Sequence, residues 1–287
     1  MNLVPPLSIL AAYLCLGFSP LHGQVEFWSR SGTSDVDDAT DGFTVPDHLR
    51  SNNYQGYVGE MALMPTNPNL LNGLPPSAPG LITADSGDTY SGVRGIAGFC
   101  IDSETSFKIS SSQADRKTYL ALTYAQANSR YVADGVLHYL PGNLLRAAYM
   151  IDKFYQQAHV GGNIEAAALQ AAIWEVLYDS TPNTNTGNGN YYVRNNTGDA
   201  ALDGRANQVT SFTNTWFAAA VTDNWGGASY DPTNRVIFWL DPTNATLNQS
   251  IITLNPWGGL VPVPESEPVL LLAFATGALA FRRRRVA

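Results

Sequence analysis

The chain has 287 residues, 45% of them hydrophobic and 11% aromatic, enough for one large globular domain or two small ones with a sizeable core. Its formal charge is −8, and the only cationic run is Arg282, Arg283, Arg284 and Arg285 at the extreme end. Removing those four charges leaves −12, a surface that repels nucleic acid and anionic lipid and so excludes nucleic acid as a partner.

In chain order, residues 1–23 carry an apolar stretch from Leu7 to Phe18 and a cleavage context at Leu21-His22-Gly23, which predicts a signal peptide. The stretch lacks Lys and Arg at its start and contains Pro5-Pro6, so a buried structural strand is the alternative. Cys15 would leave with the signal. Residues 24–55 form a lead-in, part of a longer stretch reaching Pro79 that is rich in Ser, Asp, Asn, Gly and Pro. Short apolar pieces such as Gly56-Tyr-Val-Gly-Glu-Met-Ala-Leu63 predict short strands among loops. Asp35, Asp37, Asp38 and Asp41-Gly42 make an acidic cluster, but no Glu closes a twelve-residue calcium loop, so a solvated acidic loop is expected.

Gly92 to Ile101 predicts a strand leading into Cys100, and a helical block follows over Thr118 to Asn128 and Asn143 to Ala158. The clearest helix runs from Asn163 to Tyr178 behind Gly161-Gly162, with Asn163 as its cap and Ala166, Gln170, Ile173, Trp174 and Leu177 on one face. Ser180 to Gly204, dominated by Asn, Thr and Gly, predicts a long exposed loop or a pair of hairpin turns. Asn207 to Thr222 adds a helix, and Arg235 to Leu240 and Gln249 to Leu254 are closing strands. The fold class expected is α+β, a β-rich portion plus a helical portion.

The tail, residues 259–287, combines Val261-Pro-Val-Pro-Glu-Ser-Glu-Pro268, an apolar run from Val269 to Phe281, and the four arginines. Thirteen apolar residues fall short of the roughly 20 that cross a bilayer unaided, and the arginines would hold their end on the cytoplasmic side. This order resembles the PEP-CTERM sorting signal, which is recognised by exosortase-type enzymes of Gram-negative bacteria that make exopolysaccharide. Pro264, Glu265, Glu267 and Pro268 stand in two imperfect copies of its Pro-Glu-Pro element. The resemblance implies an exported protein, tethered by its C-terminal helix to the inner membrane as an intermediate and then displayed at the cell surface or in the extracellular matrix.

Loss of the signal leaves Cys100 as the single cysteine of a protein bound for an oxidising compartment. Such a thiol is buried, paired with another chain, or chemically used. Gly98-Phe99-Cys100-Ile101-Asp102 and Leu169-Gln170-Ala171-Ala172-Ile173-Trp174 stand out together. A thiolate attacking the side-chain amide of Gln expels ammonia and leaves a thioester, open to attack by amines. The two segments resemble the thioester domains of bacterial surface adhesins, with an aromatic-Cys-aliphatic motif and a downstream Thr-Gln-x-Ala-Ile-Trp motif. The resemblance implies a thioester domain over 56–258, Cys100 and Gln170 as its cross-link, and Phe99, Ala172, Ile173 and Trp174 as flanking residues; Leu169 replaces the usual Thr. It further implies covalent capture of an amine-bearing surface or matrix ligand, with no turnover and no cofactor or metal.

Two other classes are weighed. A cysteine hydrolase needs a histidine beside Cys100, from among His48, His138 and His159, none of which sits in a recognisable motif. A non-covalent structural or carbohydrate-binding matrix protein of an exopolysaccharide-producing bacterium would use Trp216, Trp225, Trp239 and Trp257 as stacking surfaces.

Overall fold

The structure is a computed structural model, described here for residues 24–30, 44–46, 53–55, 59–83, 93–101, 116–134, 142–178, 200–240 and 250–259. The signal segment, the acidic cluster at 35–41, His48, His138, most of the 180–204 loop and the tail from 260 onward lie outside these residues. All described residues belong to one compact unit, Gln24–Pro262.

The β portion comprises β1 (Gln24–Arg30), β2 (Thr44–Pro46), β3 (Asn53–Gln55), β4 (Met61–Pro65), β5 (Leu81–Thr83), β6 (Arg94–Cys100), β7 (Lys117–Leu122), β8 (Val236–Leu240) and β9 (Ile251–Leu254). The order β4-β1-β7-β8-β9-β6, with β4 pairing back onto β6, closes an antiparallel sheet of six strands. β5 joins the first half of β6 as a seventh strand, and β2 and β3 form a separate pair. The segment expected to be a lead-in therefore supplies β1 to the main sheet, between β4 and β7.

Four helices follow from the same chain: α1 (Tyr124–Asp134), α2 (Asn143–Gly161), α3 (Asn163–Tyr178) and α4 (Ala200–Thr222). The helix expected over Thr118 to Asn128 is half strand. Lys117–Leu122 alternates an exposed or half-buried residue with the buried Tyr119 and Ala121, which is the period of a pleated strand, and the helix starts only at Tyr124. The final helix begins at Ala200, inside the segment expected to be loop.

Closure gives the sheet an inside and an outside. Pairings Gly98↔Thr253, Cys100↔Ile251, Trp239↔Ile251 and Met61↔Gly98 put these residues on one face, and Phe99, Ile252 and Phe238 on the other. The helices pack on the second face, where Tyr155 of α2 meets Phe99 edge-on (6.5 Å, 83°) and Tyr124 of α1 meets Phe238. The first face is therefore the barrel interior, filled by Tyr119, Trp239 and Ile96, all fully buried. With both faces covered, β4 and β8 are buried along their whole length.

α3 is the centre of the helical layer. Its run of Ala and Leu is apolar all round, and Ala166 to Tyr178 is buried without a break because α2 and α4 flank it. Gly162 (φ 97) joins α2 to α3: its N–H bonds Ala158 O (3.3 Å), and its own carbonyl accepts from Ala166 N (2.9 Å). Gly162 thus takes the capping position expected of Asn163, whose Oδ1 is buried without a hydrogen bond. Among the described residues no helix is long and apolar enough to cross a membrane.

Candidate functional site at the end of strand β6

Strand β6 uses its two edges differently along its length. Its register with β4 runs Leu63↔Ile96, Ala62↔Ala97, Met61↔Gly98 and then stops, because the partner chain bends at Gly59. On the other edge β9 continues, with Ile101 N bonding Ser250 O at 2.9 Å. Cys100 is thereby left with a backbone N–H and C=O directed at the place β4 has vacated.

Gln170 fills that place. The Cys100 N–H donates to Gln170 Oε1 at 2.7 Å, and Gln170 Nε2 donates to the Cys100 carbonyl at 2.7 Å. The carboxamide behaves as one more residue of the missing strand, satisfying both buried backbone groups at once. Gln170 is 1% exposed and Cys100 6%. The Cys100 thiol, on the interior face, donates to Met61 Sδ at 3.6 Å. Close packing at Gly98 makes this strand end tight, since a Cβ there would lie 2.8 Å from Ile251 Cγ2 and 3.1 Å from Leu63 Cδ1.

Three further contacts set the height of α3 against the strand. The Tyr178 hydroxyl donates to Ile101 O (3.3 Å), Asn143 Nδ2 to Leu177 O (3.2 Å), and the Thr213 hydroxyl of α4 to Ala168 O (3.1 Å), all buried. Gln170, Trp174 and Tyr178 stand four residues apart, so they form one row along the helix. Phe99, Ala172 and Ile173 are fully buried and Trp174 is 2% exposed, giving the amide pair a dry apolar surround.

The sequence-predicted pair thus meets across 70 residues of chain. Chemically, an amide with its oxygen on a main-chain N–H is polarised toward nucleophilic attack, and that N–H would stabilise negative charge developing on the oxygen. The residue that holds this amide by its main chain also carries a nucleophile, the Cys100 sulfur.

Met61, Tyr178 and a His–Glu pair were not legible beforehand. His159 Nδ1 lies 3.0 and 3.2 Å from the two carboxylate oxygens of Glu60, and its ring stacks on Tyr155 at 5.4 Å and 14°. Glu60, one residue before Met61, is 2% exposed. By register it shares the helix-facing side with Phe99, the side opposite the Cys100 thiol. No sequence signal links residues 99 apart of these types.

No protein-family profile matches the chain, and no curated protein matches it. Several solved structures are similar in outline. The N-terminal thioester domain of the fibronectin-binding protein SfbI from Streptococcus pyogenes aligns over 86% of this chain and 97% of its own, at 9% identity and a TM-score of 0.44. The N-terminal domain of the Streptococcus pyogenes pilus tip adhesin Cpa aligns over 78% and 96%, at 11% identity and 0.37. The N-terminal thioester domain of a surface protein from Clostridium perfringens aligns over 80% and 97%, at 10% identity and 0.38.

The tryptophans considered for a stacking surface are mostly core. Trp239 is fully buried with its Nε1 on Thr253 Oγ1 (2.9 Å), Trp216 is 4% exposed, and Trp225 and Trp257 are half-buried. Among the described residues no group of three or more His, Cys, Asp or Glu comes together to hold a metal ion.

Proposed function

We propose that this protein is a single-use covalent adhesin, in which Cys100 Sγ and Gln170 Cδ join in an internal thioester that later captures an amine. The reading rests on one observation above others, the reciprocal 2.7 Å pair between the Gln170 carboxamide and the Cys100 main chain. In the forming step sulfur attacks Cδ, the C–N bond breaks, and the thiol proton leaves with the nitrogen as ammonia. In the capture step an amine attacks the same carbon, the C–S bond breaks, and Cys100 regains its proton as an amide forms. Burial favours both the persistence of the bond, by excluding water, and the geometry of the attack. Each molecule reacts once, so the protein is not an enzyme. The sorting tail at Pro264 to Arg285 would place it outside the cell through an exosortase-type processing step, where a consumable electrophile meets surface or matrix amines.

Intact-mass measurement of the purified protein tests this. The expected mass is lighter than the sequence by one ammonia, methylamine adds once, and both properties vanish in Cys100→Ala and Gln170→Ala. A full mass with a freely titrating Cys100 thiol overturns the reading.

A further inference from the structure

Helices α2, α3 and α4 leave an open groove of about 460 Å³ lined by Gln156, Gln157, Val160, Glu165, Phe212 and Trp216. Among the described residues Glu165 is its one charged lining residue. Glu165 is half-buried, and among the described residues its carboxylate has no hydrogen-bond or ion-pair partner. Its stem lies across Gly161, where a Cβ would come within 2.5–2.8 Å of the Glu165 side-chain carbons, so that glycine keeps the acid in its place. Glu165 also sits in the first turn of α3, where the helix N-terminus offsets the cost of an unpaired negative charge.

The remaining walls are apolar and aromatic. Val160 is 74% exposed, Phe212 is half-buried, and Trp216 is held by stacking on Phe154 (5.4 Å, 18°) and by its Nε1 on Gln157 Oε1 (3.1 Å). A long apolar stem with a positive tip matches this surface: the stem covers Val160 and Phe212, and the tip meets Glu165 beside aromatic rings. On a chain of formal charge −8, a cation is also the ligand drawn to the surface.

We infer that this groove docks a lysine side chain of the target segment without covalent reaction, as a recognition step preceding capture; the identification of the ligand as the target's lysine rests on the proposed function. Glu165 lies five residues before Gln170 on the same helix, roughly 7.5 Å along its axis and roughly 140° around it, so the groove and the buried carboxamide lie on different faces of α3 and the docked lysine is a side chain other than the one captured.

The test uses the full chain carrying Cys100→Ala, which cannot react covalently. The probes are Nα-acetyl-lysine-N-methylamide and its norleucine counterpart, the same stem without the ammonium. In amide NMR titrations the lysine probe is expected to shift Val160, Gly161 and Glu165 saturably. It should bind roughly threefold to fivefold tighter than norleucine, with Glu165→Gln abolishing the difference while the melting temperature stays put. Equal binding of both probes, or shifts confined to other surfaces, overturns the inference. The two readings fail separately: a missing ammonia-mass deficit in the wild-type protein sinks the thioester, whereas a deficit together with no groove preference sinks only the docking site.

Discussion

A double-mutant cycle on Cys100 and Gln170 separates a covalent link from the hydrogen bonds seen at the same place. The Gln170 carboxamide bonds the main chain of Cys100, so those bonds survive Cys100→Ala and contribute nothing to the coupling between the two side chains. A cross-link closing 70 residues would contribute about 4 kcal/mol by loop entropy. Forming it forfeits the Nε2 bond to the Cys100 carbonyl, which is about 1 kcal/mol. The expected coupling is therefore about 3 kcal/mol. In the Cys100→Ala background, Gln170→Ala still strands a buried N–H and C=O at the end of β6 and costs a further ~2–4 kcal/mol. Urea unfolding of the wild type, both single variants and the double variant yields all four free energies. A coupling under about 1 kcal/mol, with a large Gln170→Ala cost in both backgrounds, would refute the cross-link and leave Gln170 as a strand-capping amide.

Three further outcomes follow from the packing and the charges. Gly98→Ala is expected to lose about 1–3 kcal/mol in urea unfolding and to lower the fraction of protein lacking one ammonia, because its methyl would press on Ile251 and Leu63 two residues before Cys100. His159→Ala removes a partner of the buried Glu60 carboxylate and should cost about 1–3 kcal/mol, with an unchanged melting temperature as the contrary result. Tyr149, whose hydroxyl donates to Asp223 Oδ2 at 2.5 Å, has its pKa pushed up to about 12, first by burial and then by that acid. The raised value means the folded state holds the proton more tightly, so the stability is complete below pH 10 and declines as pH rises from 10 to 12. Tyr149→Phe should flatten that alkaline decline in melting temperature against pH, and an identical slope in both proteins would contradict the assignment.

Element types were readable where one period prevailed. α3 runs from Asn163 to Tyr178, as its composition and the preceding glycines predict, and β6, β8 and β9 fall within the predicted apolar stretches. The failure at 118–128 has a local cause: Thr118 to Leu122 is a strand on alternation, yet Ala121, Leu122 and Ala125 also suit a helix, and only pairing with β1 and β8 decides it. Likewise nothing local marks Gln24–Arg30 as a central strand, since its partners are Met61–Pro65 and Lys117–Leu122.

For the site, the sequence by itself determined the chemistry on offer: one cysteine on a strand end and one glutamine on an apolar helix, in a chain of formal charge −8. Residue types and short motifs carry that information because reactivity belongs to the side chain. Tertiary structure alone decided that pairing with β4 ends at Gly98, two residues short of Cys100, that the Gln170 amide occupies the vacated edge, and that the thiol faces the barrel interior while Glu60 and His159 lie on the other side. Those facts come from register and closure. A strand's partner, its last pair and the face each side chain takes depend on segments 33 to 155 residues away, which no local pattern records.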